Sequence, residues 1–142
     1  FLFGRLAKRL TAKRAILLGL GIYTVIVILA YFMTEAWHFW VLAGLVGTVQ
    51  GGTQALSRSL FGAMTPKQHS AEFYGFFDVS SKFAGIGGPF LFGVVASLVG
   101  TSRWAIFSLI VFFVVGGWLL SRVDERAGVA VAQAEESTVA AL

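Results

Sequence analysis

The 142-residue chain has no cysteine, only two prolines and two histidines, and few acids, with seven Asp and Glu against eleven Lys and Arg. Without cysteine there is no disulfide, no thiolate nucleophile and no thiolate metal site. His38 and His69 are far apart in the sequence and share no metal-ligand spacing, so no metal and no other cofactor is expected. Charge is scarce throughout. Asp, Glu, Lys and Arg make up 13% of the residues, where a soluble domain carries about 25%. So little charge cannot clothe a water-facing surface, which excludes an ordinary soluble enzyme and a disordered chain. Also missing are a Ser/His/Asp arrangement, a phosphate-cradling glycine loop followed by Lys-Ser/Thr, and a pair of carboxylates facing each other, so catalysis is not expected. What the chain does have is apolar bulk. The apolar share is 57%, including 14 Phe and 4 Trp, and the mean hydropathy is +0.81. These values place the chain among membrane proteins.

The longest stretches free of Asp, Glu, Lys and Arg are 15–34, 36–57, 83–102 and 104–121. A helix of about 20 residues covers roughly 30 Å, the thickness of a bilayer's hydrocarbon core. An all-α membrane protein with four transmembrane helices is therefore expected, over 15–34, 36–60, 78–101 and 103–121. Barrel strands are excluded because they alternate polar and apolar positions, and runs such as 22–29 and 109–115 do not. The joints are read as a loop over 1–14, a short turn at Glu35, a loop over 61–77, Arg103 alone, and a frayed tail over 122–142. The opening Phe1-Leu2-Phe3-Gly4 resembles the end of an earlier apolar span, so the chain reads as part of a longer protein.

Basic residues sort by side. Arg5, Lys8, Arg9, Lys13, Arg14, Arg58, Lys67, Lys82, Arg122 and Arg126 flank one face of the four spans, and only Arg103 flanks the other. The positive-inside rule then puts both termini and the 61–77 loop in the cytoplasm, with a bacterial inner membrane suiting the short loops. Trp37, Trp40 and Trp104 fall at the outer interface and Trp118 at the inner one, with His38 as an interface residue. A net charge of +4 is accounted for by this orientation, so no nucleic-acid partner is expected. The basic N-terminal run could touch anionic headgroups, and is read as anchoring rather than as a ligand site.

The spans differ in polarity. The first holds no amide and no charge, and the fourth none past Arg103 at its edge, which suits lipid-facing positions. On the second, Gln50, Gln54, Ser57 and Arg58 form a polar stripe at helical spacing, and Gly44, Gly47 and Gly51, with Ala55 and Ser59, form a groove for a neighbouring helix. The third begins with Asp78 and Lys82, one turn apart, then carries Gly85, Gly87, Gly88 and Pro89, which should bend or loosen it. Each feature has two readings. The glutamines either line a substrate path or glue helices together. Arg58 either binds or snorkels to the interface, and Asp78 and Lys82 are either functional or a local ion pair. The glycines serve either as a hinge or as close packing.

Residues 4–14, Gly-Arg-Leu-Ala-Lys-Arg-Leu-Thr-Ala-Lys-Arg, resemble the cytoplasmic loop motif of the major facilitator superfamily, G-x-L-A-D-R-x-G-x-K-R, in a decayed second copy. Gly4, Leu6, Ala7, Arg9, Lys13 and Arg14 fit, while Lys8 replaces the Asp and Thr11 the second Gly. A narrower likeness runs over 47–93. Gln54-Ala55-Leu56-Ser57-Arg58-Ser59, then Glu72-Phe73-Tyr74-Gly75-Phe76-Phe77, resemble the hallmark of the vacuole-effluxer, or autophagy-related permease, branch. The resemblance implies that the four spans are helices nine to twelve of a twelve-helix transporter, with the tenth lining its cavity and the eleventh flanking it.

It also implies a fragment of a secondary active transporter that moves a small polar solute, an amino acid being the family-led guess, by alternating access. Its partners would be the lipid bilayer, the parent's remaining helices and that solute. Gln50 and Gln54 would bond the solute, and Arg58, Glu72 and Asp78, with Lys82 nearby, would form a cytoplasmic gate. The alternative is a self-contained four-helix membrane module that acts as a scaffold or dimerises through the Gly44/Gly47/Gly51 groove.

Overall fold

A computed structural model describes residues 11–100 and 102–140. Gly4 and Arg9 of the loop motif lie outside the described residues, as do the side chains of Arg103 and Trp104. Five α-helices follow in order: α1 (Ala12–Tyr31), α2 (Ala36–Ala63), α3 (Ser70–Val99), α4 (Ser102–Arg122) and α5 (Glu125–Ala140), with a single 3-10 turn, Lys67–His69, leading into α3. No strand occurs among the described residues. The protein is an all-α membrane protein, as its composition predicts.

Local signals set the helix ends. The Thr11 hydroxyl accepts the Arg14 amide at 3.4 Å and starts α1. The Glu35 amide donates to Nδ1 of His38 at 3.3 Å at the start of α2, while the Trp37 indole donates to the Glu35 carboxylate at 2.9 Å. At the end of α3, Gly100 takes a left-handed φ of 74° and its amide bonds the Ala96 carbonyl, a backbone position that favours glycine. Asp124 accepts the amides of Arg126 and Ala127 at 3.0 and 3.1 Å and so caps α5. This cap, followed by Ala, Glu and Gln, explains why the stretch expected as a frayed tail is instead a 16-residue helix. The 61–77 loop also shrinks, because α2 continues to Ala63 and α3 begins at Ser70. Phe61 holds the two ends together, with ring contacts to Phe73, Tyr74 and Phe77 at 6.5, 5.7 and 4.8 Å.

Three segments are long and apolar enough to cross a membrane: Ala12–Tyr31, Lys67–Val99 and Ala105–Arg122, with mean hydropathies of 2.0, 1.6 and 2.0. At 28 residues α2 also has the length, and it is the least apolar of the four long helices because it carries the polar stripe and the glycines. α3 runs as one helix through Pro89.

α1 packs against both α2 and α4, and α3 packs against α4. α1 supplies the largest share of buried residues, Ala15, Ile16, Gly19, Ile26 and Val27. Its small residues admit close neighbours. Against α4, Tyr23 stacks on Phe113 at 5.4 Å, and a side chain at Gly117 would meet Leu17 and Leu20. The expectation that α1 is peripheral and lipid-facing is therefore not met within this chain. A helix apolar on all sides suits a protein interior as well as lipid. α3, by contrast, has no buried residue.

Several of the described basic residues gather at one end. Lys13 at the start of α1 donates to the Ser121 and Val123 carbonyls at the end of α4, both at 2.8 Å. Lys67 donates to the Glu136 carboxylate on α5 at 2.9 Å. The opposite end carries the exposed Trp37 and Trp40.

Candidate functional site

α2 and α3 approach each other at the basic end, and α1 closes the angle between them. They enclose a cavity of about 330 Å³ lined by Ile16, Leu20 and Tyr23 of α1, Thr53, Gln54, Ser57 and Arg58 of α2, and Phe77 and Ser81 of α3. The lining is mixed. Leucine, isoleucine and phenylalanine side chains alternate with a phenol, three hydroxyls, an amide and a guanidinium. Such a pocket fits a small solute that offers both hydrogen bonds and apolar surface.

Not every polar group there is available. The Thr53 hydroxyl is buried and donates to the Val49 carbonyl at 2.9 Å, and it also interacts with the Tyr23 side chain. The Ser81 hydroxyl donates to the Phe77 carbonyl at 2.8 Å. Gln54 and Arg58 lie in exposed positions along the rim, so they are the groups best placed to meet something outside this chain.

Toward the basic end the cavity gives way to a smaller apolar space of about 220 Å³ lined by Ile16, Ser57, Leu60, Phe61, Met64, Phe77, Leu120 and Val123. Beside it, Arg58 Nη2 stands 3.7 Å from Asp78 Oδ1, linking α2 to α3 with both side chains more than 60% exposed. An ion pair so exposed adds at most about 1 kcal/mol to stability. Its value lies in joining two helices that otherwise touch mainly through Phe61.

The structure brings together some of the residues singled out in the sequence and separates others. Arg58 and Asp78 meet. Glu72 does not join them; its carboxylate is 3.6 Å from Nδ1 of His69, one turn back. Lys82 follows Asp78 by one turn, yet Asp78 pairs with Arg58 and Lys82 forms no ion pair among the described residues. Of the Arg58, Glu72 and Asp78 cluster expected at the gate, the described residues thus form a single pair, Arg58 with Asp78. Gln54 lines the cavity, whereas Gln50, one turn away, does not and is exposed. Gly44, Gly47 and Gly51 would each accept a side chain without meeting any atom within 4 Å, and so would Gly85 and Gly88. No described helix of this chain fills the α2 groove.

Several participants escaped the reading by residue type. Tyr23 lies on a span read as uniformly apolar, and its place opposite Thr53 follows from helix packing. Lys13 looks like part of a loop motif, but it opens α1 and holds the last carbonyls of α4, where a cation opposes the negative end of the helix. The Asp124 cap was legible as a helix start.

A family model described as "Vacuole effluxer Atg22 like" matches residues 1–133. The chain belongs to that family. Among curated relatives it is 47% identical over 132 residues to an uncharacterized MFS-type transporter, YxiO, of Bacillus subtilis (strain 168), an alignment covering 93% of this chain and 31% of the relative. It is 32% identical over 79 residues to autophagy-related protein 22 of Gibberella zeae, covering 56% of this chain and 12% of that protein. With the same-named protein of Kluyveromyces lactis it shares 33% identity over 83 residues, 58% of this chain and 17% of the relative. The chain thus spans less than a third of the length of these Atg22-like and MFS-type relatives. No solved structure matches it.

Proposed function

We propose that the chain is the last four spans of a secondary active transporter that carries a small polar solute across a membrane by alternating access. The observation that carries this reading is the mixed cavity between α1, α2 and α3, rimmed by Gln54 and Arg58 and flanked at the basic end by the Arg58–Asp78 pair. Family membership and the transporter-named relatives support it. So do the uncovered faces of α2 and α3, which suit contact with the parent's remaining helices.

In this reading the basic end faces the cytoplasm, with both termini on that side of what would be a bacterial inner membrane. Gln54 bonds the solute, and Gln50 continues the path one turn toward the opposite side. Arg58 and Asp78 act as an inner gate that joins α2 to α3 when the cavity is open outward and parts when it opens inward. Glu72 and Lys82 border the gate. An amino acid fits the cavity's size and its mixture of polar and apolar walls.

The test uses the full-length parent in proteoliposomes with an imposed pH gradient and labelled amino acids, peptides and sugars. Saturable amino-acid uptake is expected. Arg58→Ala should weaken it and raise labelling of single cysteines placed at 61 or 77 from the cytoplasmic side. If labelling stays unchanged in folded Arg58→Ala protein, the gate assignment fails. If no solute is taken up by folded, inserted parent, the transport reading fails for these substrate classes.

A further inference from the structure

A second, open cavity lies outside the solute pocket. It has a volume of about 790 Å³ at the basic end, where the start of α1, the end of α4 and the first half of α5 converge. Its lining includes Arg14, Arg122 and Arg126, one from each helix, together with Lys13, Gln133 and the acids Asp124 and Glu125. Lys13 is engaged with the α4 carbonyls, and Asp124 with the Arg126 and Ala127 amides. None of the three arginines forms an ion pair among the described residues. The Arg122 guanidinium lies 4.9 Å over the Trp118 ring. Stacking holds the face of a guanidinium and leaves its N–H edges free to donate.

Lys13 and the three arginines outnumber Asp124 and Glu125 in this lining, so the space favours an anion that joins the cations. A guanidinium donates two parallel hydrogen bonds to a phosphate. The exposed Trp118 is the kind of residue that sits at headgroup level, so the cavity opens where a bilayer's phosphates would be. We infer that Arg14, Arg122 and Arg126 form a binding site for a phosphate-bearing anion, either an anionic phospholipid headgroup or a soluble phosphate. The site ties the C-terminal helix α5 to the ends of α1 and α4. It is separate from the solute pocket and does not depend on the transport reading. It also revises the sequence-based view of the N-terminal bases as anchors alone, since Lys13 bonds carbonyls more than a hundred positions away and Arg14 lines the same cavity.

The experiment takes the full-length parent, delipidated in neutral detergent and then offered phosphatidylglycerol, phosphatidylcholine or inorganic phosphate. Bound species are counted by native mass spectrometry, and folding is checked by thermal unfolding. The parent should retain phosphatidylglycerol over phosphatidylcholine, with the preference falling about fivefold for each arginine removed in Arg122→Gln and Arg126→Gln and falling with salt. Lipid that millimolar phosphate does not displace identifies a headgroup as the source; phosphate held in its place identifies a soluble anion. If the double variant does not fold, Arg126→Gln alone, on an exposed position of α5, carries the same comparison. Equal retention of both lipids and of phosphate by parent and folded variant would overturn the site.

Discussion

α1 and α3 are both apolar enough to cross a membrane, yet they have opposite fates. α1 has 28% of its most apolar window buried within the chain and α3 has none. Mean hydropathy does not separate them, because lipid and a packed interior accept the same side chains. What separates them is shape. α1 presents Ala15 and Gly19 one turn apart and lets α2 and α4 close on it, while α3 presents Phe83, Ile86 and Phe90, all more than 65% exposed. α3 is tied to the rest through α4 and by a few contacts at its basic end. The lesson is that α1 belongs to the core of this segment, whereas α3 is a surface whose counterpart must be lipid or other parts of the parent.

The sharpest way to break the comparison is to hollow out α1. Ile26→Ala removes a buried branched side chain and should cost the full-length parent about 2–5 kcal/mol, measured by denaturant unfolding in micelles. A loss below about 1 kcal/mol would mean that α1 is not a core helix. Next in size is Gly51→Leu. No described residue comes within 4 Å of a Cβ placed there, so the local packing should tolerate it. In the parent, a helix seated in the Gly44/Gly47/Gly51 groove would be pushed away, at about 1–3 kcal/mol. An unchanged parent would show that the groove faces lipid.

The gate pair comes third. Arg58→Ala should leave stability within about 1 kcal/mol, because both partners are exposed, while changing the accessibility of positions 61 and 77. A variant that unfolds would turn Arg58 into a structural residue.

Much of this arrangement was legible in the sequence. Four long apolar stretches, one basic end and a polar stripe on α2 all follow from where charges and amides stand, and the Gln54–Ser59 and Glu72–Phe77 runs pointed to the family. The order of packing was not legible, since it depends on which apolar faces fit one another. The spacing of Asp78 and Lys82 suggested a pair along one helix, but Asp78 pairs with Arg58 across two helices, the one contact of the expected Arg58, Glu72 and Asp78 cluster that forms. α5 was missed because its alanine-rich stretch lacks an apolar stripe, although Asp124 marks its start.

The smallest effect concerns how the turn before α3 is held. Lys67 bonds Glu136 through its ammonium at 2.9 Å and its backbone amide at 3.3 Å. The ammonium hydrogen bond lowers the Glu136 pKa below its usual value, and the amide and the Lys67 charge act in the same direction. A carboxyl group with a lowered folded pKa binds its proton less readily than in the unfolded chain. Its contribution is therefore present above the unfolded pKa and is lost as pH falls through the depressed folded one. Amide exchange in α5 and in the 67–69 turn should accelerate below the ordinary carboxylate range, once intrinsic exchange rates are corrected for, with α1 unaffected. Glu136→Gln should show the faster exchange already at neutral pH and lose the acid dependence. If the variant keeps the parent's acid dependence, another carboxylate holds the 67–69 turn, and Glu136 is only its neighbour.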